Sequence, residues 1–592
     1  MSNITDPPDS LLPQTEPPDD TVPPPPTTPE ERLEEARRVE LARRQAKVTP
    51  ALAAVLVIVG VFLALGLVQT TVDDSFISLR YSANLARGLG LVYNPGEAVE
   101  GFSNPVWTLT SALFLALGAE GWLTVKALGL LSHAALIAGT VRLALVLGRP
   151  SGGVALGAAI LGAALAAVSH PLTFWAVQGL ETPMYSALLV WAMARLWQEE
   201  AEPDHLPVSA LLLSLAAISR PEAPLLCAPI VLARAWRWTK DGDLPGLLLW
   251  LALAIGPGAL YLMFRVMTYG EILPNTFFRK GDKGFNLDLT LGYLAPWLRL
   301  EWPMVTLGGL ALLASPFVLG RRALPVLGLM LAQLVFLVVA GKDWMWSGRF
   351  VAPIIAPLAA TVGAVGAVLV SRLNPQTAGR GVLAALAAVL VAQGLLSVPT
   401  ASFRGVGETA VIKRRAENQW APMSFAAPHT GLEWAASFII ERARPGELIA
   451  YTEIGVLGYV TDHPILDLGG LVDPNLSGAK GLSDEQELAY VHGRRPAWIL
   501  LKDRSCCLIK ALMKEPWLAQ EYEEVPGPRA DIHAYRRLDT TPPTPEEVRA
   551  GYTLALERFP GSEHLQKKFA LFERGAGAAD ELEDETPPED AL

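Results

Sequence analysis

The feature that most constrains this chain is a series of apolar stretches with few charges, many of them long enough to cross a hydrocarbon layer about 30 Å thick. They fall at residues 48–72, 122–147, 152–168, 182–197, 206–219, 222–235, 246–267, 304–320, 323–340, 350–371 and 380–398. That predicts about eleven membrane spans and a polytopic α-helical membrane protein, and it excludes a soluble fold. Of 592 residues, 51% are hydrophobic and only 18% are charged. The net charge of -11 says little about the membrane part, because acidic residues crowd Asp6 to Glu35 and Asp580 to Asp590 at the two ends.

Orientation follows from the basic residues. Arg37, Arg38, Arg43, Arg44 and Lys47 precede the first span, so the positive-inside rule puts the N-terminus in the cytoplasm. No cleavage site is recognised there, so the first span is expected to stay. Arg149, Arg237, Lys240, Arg321, Arg322, Arg372 and Arg380 mark the same side, with the acidic loop QEEAEPDH after Trp197 as the misfit. An odd span count then places 71–121, 169–181, 268–303, 341–349 and everything after 399 outside.

Composition divides the chain further. Residues 1–48 combine a Pro-, Asp- and Thr-rich stretch, too poor in apolar residues to fold, with a basic helix beside the membrane. Residues 49–400 form the transmembrane domain, with a first outer loop at 71–121. Residues 401–540 change character: the runs ELIAYT (447–452), HPILDL (463–468) and AWILLK (497–502) alternate with helical patterns, which predicts a periplasmic α/β domain. Residues 541–575, including TPEEVRAGYTLALERF, read as a helical hairpin, and 576–592 as a disordered acidic tail.

Three cysteines cannot make a disulfide framework, and eight scattered histidines form no HExxH or comparable cluster. No cofactor is implied. A phosphate-binding GxxxxGK[ST] loop and a dinucleotide fingerprint are both missing from the sequence, so direct use of a nucleotide sugar has no support.

The chemistry-bearing stretch is Thr70 to Leu109, TTVDDSFISLRYSANLARGLGLVYNPGEAVEGFSNPVWTL, directly after the first span. Asp73 and Asp74 stand side by side at the membrane surface. Adjacent like charges push one pKa upward, which suits a general base, and carboxylates also suit a divalent cation such as magnesium, manganese or calcium. A solvated, helix-capping aspartate is the plainer alternative. A helix from Ser75 to Arg87, a Gly88-Leu89-Gly90 turn, and the segments Asn94 to Glu97 and Glu100 to Pro105 make the loop ordered and turn-rich, beyond what a connector needs.

This run resembles the signature of polyprenol-dependent membrane glycosyltransferases of the GT-C fold, and within them the terminal arabinofuranosyltransferase-like group of actinobacterial cell-wall enzymes. GLETPMYS (179–186), SRPEAP (219–224), PNTFFRK (274–280), KDWMWSGRFVAP (342–353) and YTEIGVLGYVTDHPILDLGGLVDP (451–474) recur in order, so the resemblance covers most of the chain. It implies that the apolar helix at about Asn104 to Leu117 lies at the outer surface without crossing. It also implies a polyprenyl-phosphate sugar donor, a glycan or lipid acceptor, and an Asp of the first outer loop that deprotonates the acceptor hydroxyl. Asp74 and Asp73 match that position, Asp74 named first because the following helix would hold it more firmly.

A phosphate leaving group at a membrane surface needs cations around it. Lys280, Arg279, Arg349, Arg220 and Arg80 are candidates on the outer side, with arginine suited to paired phosphate oxygens and lysine acting as a point charge. Snorkelling at a helix end is the alternative for each. Glu100, Asn104, Glu181, Glu222, Asp343 and Trp344 are candidate substrate contacts, although Glu222 also suits a structural pair with Arg220 and Trp344 an interfacial anchor. A transporter or flippase of lipid-linked sugars is the rival function. It predicts mid-span charges or repeated broken helices, whereas the mid-span regions are almost free of charge and no internal repeat is seen.

Overall fold

The computed structural model describes residues 49–68, 70–150, 153–201, 206–280, 287–341, 343, 345, 347–373, 378–397, 432–478, 480–502 and 507–575. The N-terminal segment through residue 48, the stretch 398–431 and the acidic end from 576 lie outside the described residues. The chain divides into two units, Met1–Ala51 and Leu52–Leu592, and the sheet, the cavity and nearly every helix belong to the second.

A helix occupies each of the eleven apolar stretches, from Thr49–Leu65 and Gly121–Gly148 through Leu244–Tyr269 to Ala352–Arg372 and Ala378–Ser397. Five helices among the described residues are long and apolar enough to cross a membrane by length and composition. The pair Leu287–Leu300 and Trp302–Val318, bent by 105°, makes a sixth if it counts as one span. Leu244–Tyr269 leaves Ile255, Leu260 and Met267 exposed, the pattern of a helix whose solvent is hydrocarbon. The chain is a helical membrane protein.

Ala352–Arg372 is the opposite case, buried on nearly every side. It crosses Gly153–Ala167 at Gly162 and Gly363, where a Cβ on either glycine would strike the other helix's backbone. Small residues let the two backbones approach closely, which is how helices pack where no water drives them together. This rigid helix matters for the site because residues 347–350 lie directly before it.

The segment expected from the sequence to be the first outer loop is built on Asp73–Ala86 and on Pro105–Ala116, the latter with proline in its first turn, where no backbone donor is lost. Gly88, Gly90 and Gly96 between them adopt positive φ of 78°, 92° and 88°, as the turn-rich sequence requires.

Residues 432–573 carry a five-stranded sheet: β1 (Ile449–Tyr451), β2 (Ile465–Asp467), β3 (Trp498–Lys502), β4 (Tyr522–Val525) and β5 (Ile532–Arg537), in the order β2-β1-β3-β5-β4. The first three pair in parallel; β5 runs antiparallel to both β3 and β4. The helical hairpin is Pro545–Arg558, opened by a Thr544/Glu547 capping box, and Glu563–Glu573.

One apolar core joins pieces that stand apart in the sequence. Phe76, Tyr81, Tyr93, Trp107 and Trp122 of the outer loop region pack with Ile439, Tyr451, Val456 and Trp498 of the α/β part and with Tyr552 and Phe559 of the hairpin. Phe559 lies 5.0 Å from Phe76 and 6.0 Å from Trp122, ring to ring. Packing therefore draws no line at residue 540: the hairpin shares its core with the sheet domain and with the outer loop.

Candidate active site

The helix Asp73–Ala86 presents two faces to two different partners. Side chains one residue apart on a helix diverge by about 100°, while those three or four apart stand together. Asp74, Ile77 and Ser78 line a cavity of about 470 Å³. Asp73, Phe76 and Arg80 turn instead toward the C-terminal domain. The two adjacent aspartates are thus separated by helical geometry alone.

The Asp73 carboxylate accepts backbone N–H bonds from Gly455 and Val456, both 2.8 Å, at the start of the helix Gly455–Thr461. Burial, and then the neighbouring Glu453, push its carboxyl up to about 7. Arg80, a phosphate candidate by sequence, is instead fully buried, and each of its nitrogen groups donates to a backbone carbonyl: Tyr93 (2.8 Å), Gly458 and His463 (2.8 Å). It ties the outer loop to the domain and does not line the cavity. Glu100 also falls away from the cavity lining, bound to the Tyr261 hydroxyl (2.6 Å) and paired with Arg265 of Leu244–Tyr269 (2.6 Å).

The cavity gathers the other candidates that the structure describes. Asn104, Glu181, Arg220, Glu222, Asp343 and Arg349 all line it, drawn from the predicted outer segments and from the ends of the membrane helices. Ser78 and Thr108 donate to the Asn104 side-chain oxygen at 3.1 and 3.0 Å, and the Asn104 amide donates to Glu181 at 2.8 Å. Arg220 links Glu181 to Glu222, using Nη1 and Nε. Arg349 binds both oxygens of Asp343 through Nε and Nη2.

Each arginine is thus oriented by carboxylates on one edge. Arg220 Nη2 and Arg349 Nη1 have no protein hydrogen-bond partner among the described residues, and both guanidinium groups lie against the Phe350 ring, 5.7 and 5.4 Å from its centre. Two planar cations held by acid partners, with donors to spare, suit a phosphate or another anionic group.

The turn that delivers Arg349 is strained. Ser347 and Gly348 both adopt left-handed φ, 54° and 63°. A non-glycine residue persists there only when its surroundings hold it. Trp175 donates to the Ser347 carbonyl at 3.0 Å, Gln333 to the Phe350 carbonyl at 2.6 Å, and the Phe350 N–H reaches the Tyr293 hydroxyl at 3.1 Å.

Trp344 lies outside the described residues, as do the side chains of Arg279 and Lys280, although the helix Asn275–Lys280 itself is described and contributes Thr276 and Phe277 to the cavity. Among the described residues no three His, Cys, Asp or Glu side chains converge as metal ligands, and Asp73 and Asp74 diverge. Sequence reasoning missed Phe350, Ser78, Glu453 and Leu471. Ser78 alone carried a signal, its place one helical turn after Asp74.

Residues 416–556 match a family described as a domain of unknown function (DUF8728). Over 238 residues the chain is 31% identical to a terminal beta-(1->2)-arabinofuranosyltransferase of Mycobacterium tuberculosis, a match covering 36% of this chain and 35% of the relative, so the chain spans about a third of the length of that protein. Its structure is similar to that of ArnT from Cupriavidus metallidurans in the apo state, with a TM-score of 0.50 and 13% identity over 83% of this chain and 98% of the other. ArnT bound to undecaprenyl phosphate gives a TM-score of 0.49 and 13% identity over 84% of this chain and 99% of the other. At 13% identity the likeness to apo ArnT establishes the fold alone and leaves function to be argued from the site.

Proposed function

We propose, for a chain that has the GT-C membrane fold, that it moves a sugar from a polyprenyl-phosphate donor to a cell-envelope glycan or lipid acceptor at the outer face of a bacterial inner membrane. In this reading all eleven helices cross, the N-terminus is cytoplasmic, and the cavity and the C-terminal domain face the periplasm. The sequence pattern of basic loops supports that orientation.

The observation that carries the reading is one cavity in which Asp74 shares the walls with Arg220 and Arg349. Asp74 takes the proton of the acceptor hydroxyl. The acceptor oxygen bonds to the anomeric carbon as the bond from that carbon to the phosphate oxygen breaks, and polyprenyl phosphate departs with the bonding pair. The spare N–H groups of Arg220 and Arg349 meet the charge that develops on phosphate. A well-placed general base contributes about 10²- to 10⁴-fold in rate, and each donor on developing charge about 10²- to 10³-fold. Asn104, Glu181, Glu222 and Asp343 offer oxygens and an amide to sugar hydroxyls while the three carboxylates orient the arginines.

The test is direct. Purified protein receives polyprenyl-phosphate-linked pentose and hexose donors with alkyl glycoside acceptors, beside Asp74→Ala. Transfer by the natural chain and its loss in the variant are expected. Transfer that survives Asp74→Ala would remove Asp74 as base, and translocation of donor with no transfer would favour a carrier.

A further inference from the structure

The C-terminal domain sends one turn into the cavity. After β2 the chain passes through Asp467 to Val472, and Leu471 forms part of the cavity wall. The turn is fixed from inside the domain: the buried Asp467 carboxylate accepts N–H bonds from Gly469 (2.7 Å), Leu471 (2.5 Å) and Val472 (2.9 Å). Gly470 has φ +74°, and a Cβ there would also run into the Leu476 carbonyl.

It is gripped from outside as well. The Asn275 amide donates to the carbonyls of Gly470 (3.0 Å) and Leu471 (2.9 Å), one residue before Thr276 and Phe277 of the cavity. Gly101 of the outer loop lies so close that a Cβ on it would strike Val472 and the Leu471 carbonyl. The direction of the Leu471 side chain is therefore set by three separate segments.

Its position in the cavity has a meaning. Arg220 and Arg349, the cationic wall, come from the ends of membrane helices. Leu471 stands with Gly101 and Phe102 of the outer loop, the loop whose first helix carries Asp74. An aliphatic side chain there acts by volume, because it has no polar atom to offer.

Resting on the transferase reading above, we propose that Leu471 limits the size of the acceptor, so that the domain of unassigned role is the part of the enzyme that selects what is glycosylated. One methylene more or less in such a wall is worth about 10- to 200-fold in selectivity.

The test uses the full chain in lipid nanodiscs with a polyprenyl-phosphate pentose donor and two octyl glycoside acceptors, a monosaccharide and a branched trisaccharide. Donor hydrolysis by water is measured without acceptor. Leu471→Phe is expected to lower kcat/KM for the trisaccharide relative to the monosaccharide by about 10-fold or more, and Leu471→Ala to raise that ratio. The signature of an acceptor contact is a change in the trisaccharide-to-monosaccharide ratio that exceeds any change in hydrolysis. Should Leu471→Phe fail to fold, Leu471→Ala alone reads the ratio. Unchanged ratios with intact transfer overturn this inference and leave the function standing, and hydrolysis that falls in step with transfer overturns it as well. A natural chain that neither hydrolyses nor transfers overturns the function and this inference together.

Discussion

Asp343 holds Arg349 through both of its oxygens, 2.7 Å to Nε and 2.9 Å to Nη2, with both side chains buried at the cavity wall. A fork of this kind fixes the plane of the guanidinium and aims its remaining edge. Lysine keeps the charge and loses the fork. Arg349→Lys is expected to lower kcat/KM for the donor about 100-fold while the protein still purifies folded. Asp343→Ala should instead destabilise by about 3–5 kcal/mol, because it leaves a buried cation alone. Thermal unfolding beside steady-state kinetics separates the two; equal stability of both variants would contradict the assigned pairing.

Asp74 and Asp73 should part company when each is substituted. Asp74→Asn is expected to abolish transfer with unchanged thermal stability. Asp73→Ala removes the acceptor for two backbone donors at the Gly455 helix start, and loss of such a cap costs about 1 kcal/mol. It should lower the melting temperature and keep measurable transfer. The reverse pattern would make Asp73 the reactive group.

The Asp73 joint also predicts a pH dependence. Burial and then Glu453 raise its carboxyl from 3.8 to about 7 in the folded chain, with Asp74 adding to the same effect and Lys502 facing Glu453. A folded value above the unfolded one means that the folded state binds this proton more tightly. Its contribution to stability is therefore full below about 4 and lost as pH rises through about 7. Asp73→Asn cannot titrate. Melting temperature followed from pH 4 to pH 8 should fall less steeply in the variant than in the natural chain; parallel curves would exclude this origin.

Phe559→Ala tests the shared core. The ring is fully buried against Phe76 and Trp122, and removing it should cost about 3–5 kcal/mol. Because Phe76 stands on the helix of Asp74, transfer should decline as well, although residue 559 lies far along the chain from any cavity residue. Full transfer in a folded Phe559→Ala protein would show that the hairpin is dispensable to the site.

What could be read from the sequence divides along physical lines. The eleven apolar stretches were visible because hydrocarbon tolerates only sustained apolar helices. β1, β2 and β3 were visible as short apolar runs, buried in the structure except at Lys502. β4 and β5, with sequences YEEV and IHAYRR, were missed because antiparallel strands can keep one face in water and are then written partly in charged residues. Asp74 and Asp73 could not be told apart as neighbours, yet the helical spacing of Asp74, Ile77 and Ser78 against Asp73, Phe76 and Arg80 held the distinction. Arg80 misled because charge at an outer surface suggests phosphate, while nothing local announces that backbone carbonyls some 380 residues away will take its terminal donors. Leu471 was hidden for the same reason: a leucine in a turn carries no mark of the cavity it will reach.

The bonds from Asp73 to Gly455 and Val456 span 382 and 383 residues. At about 5–20 residues per second of synthesis, roughly 20–75 s separate the emergence of the outer loop from that of its partner. Through that interval Phe76, Tyr81 and Trp122 lack their C-terminal mates, and the loop waits at the membrane surface. The proposed site is thus completed only in the last quarter of translation, and a ribosome that stalls after the helix Ala378–Ser397 leaves every apolar helix made and the site unfinished.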